Sequence, residues 1–176
     1  SIMEKVRRSP ALIKVDAVCQ PEPLGLGHAV LCVEPLLSPD ETAITVLLPD
    51  DLVFPTGVLE TMMAVREAFG GSVLCAIDVP QEDIGAYGVF DVAPMPPIIN
   101  PDVLRVKGMV EKPAPGEAPS NFAAAGRYLL DRAVFDALRS TPRGAGGEIQ
   151  LTDAIAGMVA QGHPVHVVVH RGARHD

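Results

Sequence analysis

The sequence predicts an α/β protein whose sheet is parallel at least in part and is flanked by helices. Hydrophobic residues make up 48% of the chain but aromatic residues only 4%, so the core must be filled by Val, Leu, Ile and Ala. That is the filling of buried parallel strands packed under helices, and it argues against a sandwich. TAITVLLPDDLVF, GVLETMMAVREAFGG and SVLCAIDV follow one another within about forty residues, the length of a β-α-β unit. At 176 residues the chain fits one domain, able to bury roughly 70% of its unfolded surface.

The elements follow in order. The opening SIMEKVRRSP carries charges where a signal peptide needs an apolar centre, and IMEKVRR reads as the tail of a helix already under way. From Ala11 to Val18 apolar residues alternate with Lys14 and Asp16, which predicts a strand near a sheet edge. HAVLCVEPLL predicts a short helix interrupted by Pro35. Ala43 to Leu48 form a nearly continuous, β-branched apolar run halted by Pro49, the pattern of a central buried strand. In GVLETMMAVREAFGG, Val58, Leu59, Met62, Met63, Val65 and Phe69 recur close to a 3.6-residue period, and Gly70 and Gly71 close the helix. SVLCAIDV is a strand; YGVFDVAP and VLRVKGMVEKP are two more, joined by PMPPIINPD, whose prolines forbid a helix. NFAAAGRYLLD reads as a strand, RAVFDALRST as a helix, PRGAGG as a loop, EIQLTDAIAGMVAQG as a helix and PVHVVVHR as a last strand.

With 22 acidic residues against 14 Lys plus Arg, the formal charge of −8 opposes non-specific attraction to nucleic acid or to an anionic membrane. A phosphate-bearing substrate would therefore need local help. Cys19, Cys32 and Cys75 show no Cys-x-x-Cys spacing for zinc or redox chemistry, which predicts a reducing cytoplasm. No apolar run approaches the roughly 20 residues that span a bilayer.

Four stretches could carry chemistry. In LLPDD, Asp50 and Asp51 emerge at the carboxyl end of an apolar strand, where open α/β sheets gather ligands. Such oxygens suit Mg2+, which takes one or two carboxylates and shares its other positions with water and phosphates; a plain turn fits the same residues equally well. In VEKP, Glu111 and Lys112 leave a strand stopped by Pro113, a carboxylate able to accept from sugar hydroxyls beside an ammonium able to neutralise phosphate. As an isolated tetrapeptide it reads better as a solvated strand end. In LGLGHAV, Gly25 and Gly27 allow close backbone approach to a ring or a phosphate, although a tight turn needs the same residues, and His28 is better read as packed or capping than as a base. GAGGEIQLTDAI fits a mobile substrate loop whose glycines present Glu148 ahead of a helix, but it reads better as a surface loop with Thr152 and Asp153 near a helix start. His163, His166 and His170 read as solvated residues in or near the last strand rather than a metal set. G-x-G-x-x-G, G-x-x-x-x-G-K-[ST] and a nucleophile elbow are all absent.

Taken together and in order, QPEPLGLGHAVLC, LLPDDL, AYGVF, VEKPAPGEAPSNFAAAGRYLL, GAGGEIQLTDAI and the closing RHD resemble the bacterial UTP-glucose-1-phosphate uridylyltransferases, or UDP-glucose pyrophosphorylases, of the sugar nucleotidylyltransferase family. The resemblance covers most of Gln20 to Asp176. EPLGLGHA and GGEIQLTDAI are its specific parts, whereas EKP and YGV are shared more widely. It implies a Rossmann-like nucleotidyltransferase fold with a mixed, mostly parallel central sheet flanked by helices, here incomplete. It implies the formation of UDP-glucose and pyrophosphate from UTP and glucose 1-phosphate. By the family pattern Gln20 and the backbone at Gly25 face the uracil, and Asp50 binds Mg2+. Asp176 matches a second acidic ligand; Gly88, Glu111 and the backbone near Ala124 contact the sugar; Lys112 sits on the sugar phosphate. The attacking phosphate oxygen is already ionised near neutral pH, so alignment and charge neutralisation suffice and no general base is needed.

The family pattern also contains an initial strand with a G-G-x-G-T-R loop and a downstream lysine, and a helix after RHD that serves subunit contacts. None of these is found in the 176 residues, so the chain is expected to be the central and C-terminal part of a single nucleotidyltransferase domain, spanning 1–176 and inactive on UTP by itself. Two other readings stand beside this one: a sibling using dTTP or another nucleotide, and a catalytically silent nucleotide-sugar-binding module. Neither nucleic acid nor membrane is an expected partner, and the family's habit suggests a homo-oligomer, a dimer or a tetramer.

Overall fold

The computed structural model describes residues 13–95 and 100–175. The expected helix tail in IMEKVRR, the start of the Ala11–Val18 stretch, the middle of the proline-rich connection and Asp176 lie outside them. Eight strands and four α-helices follow in chain order among these residues. They are α1 (Gly25–Leu31), β1 (Ala43–Leu47), β2 (Leu52–Phe54), α2 (Val58–Phe69), β3 (Ser72–Asp78), β4 (Gly88–Pro94), β5 (Val103–Glu111), β6 (Phe122–Asp131), α3 (Val134–Ser140), α4 (Leu151–Ala160), β7 (Val165–Val169) and β8 (Ala173–His175).

Six strands form one sheet in the order β1-β6-β3-β7-β5-β4, and β2 pairs with β8 in a separate two-stranded sheet. The alternation of side chains along each strand sorts the core into two layers. On one face Leu74, Ala76, Leu130, Val165, Val167 and Val169 pack with Phe135, Leu138, Ile155 and Met158 of α3 and α4. On the other, Val73, Cys75, Ile77, Leu129 and Val168 pack with Val58, Met62 and Val65 of α2. Burial of each such side chain stabilises the fold by roughly 2 kcal/mol. Gly70, at φ 71, ends α2, and Arg66 in its last turn donates to the Asp131 carboxylate at 3.1 Å and to the Thr42 carbonyl at 3.2 Å. One side chain thus fastens the end of α2 to the start of β1 and the end of β6.

The sheet is mixed, but the expectation that it is mostly parallel needs correction: the β3–β7 ladder alone is parallel, and the other pairings are antiparallel. The β-α-β reasoning located the strands and missed an insertion. β1 and β3 do run the same way, yet β6 lies between them, antiparallel to both. For the same reason β1 is an edge strand, half-exposed along its length, and not the central strand its apolar run suggested. Residues 13–18 are irregular and exposed, not a strand, with no neighbour to convert their alternation into a ladder. The β2–β8 pair had no period long enough to announce it.

Candidate active site

The cleft arises from an interruption in pairing. Along one edge β6 pairs with β4 at Ala123 and with β1 from Arg127 onward; between them the Gly126 carbonyl accepts from the Leu48 amide at 2.9 Å, and Ala124 and Ala125 are left without a strand partner on that side among the described residues. The start of β4, the ends of β1 and β5 and the start of α4 converge on this gap. They enclose a cavity of about 200 Å³ that Asp50, Asp51, Gly88, Glu111, Ala124 and Thr152 help to line. Whole ligand sites typically run to about 300–1,000 Å³, so this volume suits one ring of a larger ligand whose remainder lies in open cleft.

Gly88 and Glu111 are opposed in the β4–β5 register, so the ladder itself sets their relation. The Thr152 hydroxyl, in the first turn of α4, donates to Glu111 Oε2 at 2.6 Å. A Cβ at Gly88 would stand 3.0 Å from Met109 Cε, 3.1 Å from Glu111 Oε2 and 3.2 Å from Thr152 Oγ1, so glycine is what keeps the cradle open. Lys112 follows directly. It is exposed, is not among the cavity-lining residues, and is the one non-glycine residue with positive φ (44°) among those described. This conformation costs about 1–2 kcal/mol, and it is fixed in part by a bond from the Lys112 amide to the Tyr87 carbonyl at 3.0 Å.

The two neighbouring aspartates have separate fates. Asp51 is buried, 4% exposed, and accepts from Arg174 Nε at 2.9 Å, while Arg174 Nη1 donates to the Tyr87 hydroxyl at 3.1 Å. Burial works against the Arg174 charge, but the bonds to Asp51 and Tyr87 outweigh it and leave the guanidinium more firmly protonated than usual. Asp51 also sits against Gly126, where a Cβ would come within 2.7 Å of the Asp51 Cβ. Asp50 is exposed and makes no hydrogen bond or ion pair with the described residues.

No group of three or more His, Cys, Asp or Glu among the described residues could form a metal cage. A lone free carboxylate beside a cleft fits a different arrangement, a divalent ion held by one protein oxygen with water and phosphate completing its shell. Tyr128, on the cavity wall, is pushed up to about 12 by burial and then by the charges of Glu111 and Asp51, so its hydroxyl remains a neutral donor. Burial, followed by the Asp51 charge, likewise pushes the Cys75 thiol up to about 12 and leaves it inert.

Gln20 and Gly25 are not among the cavity-lining residues; Gln20 lies on the loop that enters α1 and Gly25 is the first residue of that helix. Gln20 Nε2 donates to the Gly25 carbonyl at 3.1 Å and lies 3.1 Å from His28 Nδ1. Gly25 has φ 87, and a Cβ there would stand 2.8 Å from Glu148 Cβ. Two backbone bonds clamp this loop to the segment before α4: Gly27 N to Ile149 O at 3.0 Å and Ile149 N to Leu24 O at 2.8 Å. The structure therefore brings Asp50, Gly88, Glu111 and Ala124 around one cavity; Lys112, next to Glu111 in the chain, and Gln20 and Gly25, before and at the start of α1, are not among its lining residues, and Asp176 lies outside the described residues.

Residue reading undervalued Thr152 and Arg174, whose types match helix starts and solvated strands as well as sites, and it passed over Tyr87, Tyr128 and Gly126. The alternating pattern of NFAAAGRYLLD, in which Gly126 and Tyr128 share parity, was the available signal for those two. The reading of His166 as solvated is corrected: it is 4% exposed, packs on Phe69 with ring centroids 5.3 Å apart, and its Nδ1 lacks a partner.

The sequence pattern described as nucleotidyl transferase matches residues 2–174. The chain is 38% identical over 175 residues to the UTP--glucose-1-phosphate uridylyltransferase YngB of Bacillus subtilis (strain 168), a match covering 99% of this chain and 57% of that protein. It is 39% identical over 176 residues to a UTP--glucose-1-phosphate uridylyltransferase of Staphylococcus epidermidis (strain ATCC 12228 / FDA PCI 1200), covering 99% of this chain and 59% of that one. Among solved structures, a UDP-glucose pyrophosphorylase complexed with UDP-glucose superposes with a TM-score of 0.88 at 30% identity, over 98% of this chain and 64% of that chain. The chain thus spans 57% and 59% of the length of these two curated relatives.

Proposed function

The chain belongs to the nucleotidyl transferase family, and on that premise we propose that the complete protein forms UDP-glucose and pyrophosphate from UTP and glucose 1-phosphate. One observation carries the reading: Asp50, Gly88, Glu111 and Ala124, drawn from four separate segments, line a single cavity the size of one ring. The names of the relatives point to the same chemistry.

In this reading the hexose occupies the cavity. Glu111 accepts its hydroxyl protons, and the unpaired β6 edge at Ala124 offers backbone groups to other hydroxyls. Lys112 neutralises the sugar phosphate as a point charge. Asp50 holds Mg2+, which when bound neutralises charge on the phosphates as pyrophosphate leaves. Asp176 is proposed as a second acidic ligand on the family resemblance alone. Gln20 and the Gly25 backbone take the uracil from the flanking loop. The protein's task is to hold one ionised phosphate oxygen in line with the α-phosphorus, a matter of alignment and local charge. That explains how an acidic chain handles polyanions. The described residues are read as one domain, supported by the single six-stranded sheet. A cytoplasmic location is proposed on three free cysteines and on the absence, among the described residues, of any helix long and apolar enough to cross a membrane. Assembly as a dimer or tetramer is proposed from the family resemblance.

The test is titration of UDP-glucose, with and without Mg2+, into the full-length protein and its Asp50→Ala and Lys112→Ala variants. Loss of the Mg2+-dependent increment in Asp50→Ala and weaker binding in Lys112→Ala support the reading; unchanged isotherms in both overturn it.

A further inference from the structure

We propose that Thr152 is a positioning residue that fixes the Glu111 carboxylate for the hexose, so that sugar affinity depends on a hydroxyl that itself faces the carboxylate. This rests on the function proposed above and extends it to a residue with no role in that account. The warrant is geometric. Thr152 is 9% exposed and its hydroxyl reaches Glu111 Oε2 at 2.6 Å, a short charge-assisted bond. That bond occupies one carboxylate oxygen and fixes the rotation of the group, leaving Oε1 to receive a ligand hydroxyl. Gly88 leaves room for the pair on the facing strand, since a Cβ there would stand 3.1 Å from Glu111 Oε2 and 3.2 Å from Thr152 Oγ1.

Thr152 is itself held on a short strap. Ile149 is bonded through its amide to the Leu24 carbonyl and through its carbonyl to the Gly27 amide, at the start of α1, and α4 begins at Leu151, so Thr152 enters its first turn with little freedom. A side chain that merely capped α4 would bond to backbone amides of its own helix. This hydroxyl instead donates across 41 residues of sequence to a carboxylate at a strand end.

The experiment compares Thr152→Val, Thr152→Ser and Glu111→Gln in the full-length protein, with KM for glucose 1-phosphate and for UTP measured separately. Thr152→Val, which keeps the shape and removes the donor, should raise KM for glucose 1-phosphate about tenfold while KM for UTP changes less than about twofold. Thr152→Ser, which keeps the hydroxyl, should restore the sugar constant to within about threefold of the parent. Adding Thr152→Val to Glu111→Gln should have little further effect on the sugar constant, because the donor would have lost the group it positions. Equal losses for both substrates in Thr152→Val, no loss at all, or failure of Ser to rescue would overturn the inference. If Glu111→Gln itself leaves the sugar constant untouched, it is the functional reading that fails; if Glu111→Gln is impaired and Thr152→Val is not, that reading stands and the positioning role falls.

Discussion

The two halves of the cleft are built by different means. On the side proposed above to take the hexose, Gly88 and Glu111 are partners in a continuous ladder, and the relation between them follows from strand register. On the side proposed to take the nucleotide, Gln20 lies on a loop leading into a seven-residue helix that Gly25 begins, held to the body through two backbone bonds to Ile149. A ladder distributes its constraint over many bonds; a loop depends on a few. The hexose side should therefore tolerate change around it and fail only when its own side chains are altered. The nucleotide side should be sensitive to any substitution that displaces the clamp.

The largest expected effect tests what both halves share. Asp50→Ala should reduce pyrophosphate release in the full-length protein on the order of 100- to 1000-fold with little change in stability, since the residue is exposed and unbonded to the described residues. Next come two glycine substitutions that separate the halves. Gly25→Ala strains a φ of 87 and presses on Glu148, so it should raise KM for UTP about tenfold; Gly88→Ala crowds Glu111 and Thr152 and should raise KM for glucose 1-phosphate by a similar factor. Identical kinetic profiles for the two variants would erase the distinction between the halves.

A smaller effect sharpens the comparison at the rim. Lys112→Gly relieves a left-handed backbone and should stabilise the fold by about 1 kcal/mol in urea unfolding, even as turnover falls. If stability fell instead, the positive φ at Lys112 would not be a strain held at the site. The smallest effect lies away from both halves. His166 has its pKa lowered by burial first and then by the Arg105 charge, so its folded state favours the neutral ring. Its contribution is fully present above the ordinary value of about 6.5 and declines as pH falls below it, where the unfolded chain takes up a proton that the folded chain resists. Between pH 7 and 5 the melting temperature should drop about 2 °C more for the parent than for His166→Phe.

What could be read from the sequence follows the same division. Strand ends announce themselves: the apolar run before Pro49 and the alternation before Pro113 located Asp50 and Glu111 before any coordinates, because a charge following such a run is forced to a rim. The helix at Val58–Phe69 was legible for a related reason, a long and clean period. Contacts between distant segments were not legible. Thr152 resembles an ordinary helix start until Glu111 is found beside it, and Arg174 resembles a solvated strand residue until Asp51 is found buried next to it. The placement of β6 between β1 and β3 was hidden for the same reason, since period reports which face of a strand is buried and says nothing of its neighbours.

The two alanines left unpartnered on β6 bear on how such a protein could be silenced. On the proposed reading a sugar lying there would stand in for a missing neighbour, its hydroxyls completing a pattern that polypeptide would otherwise complete. Extending β4 toward its amino end, or β1 past Leu47, would let the chain zip itself shut over that stretch. The proposed activity would then be lost by a gain of order, with every side chain of the cleft intact.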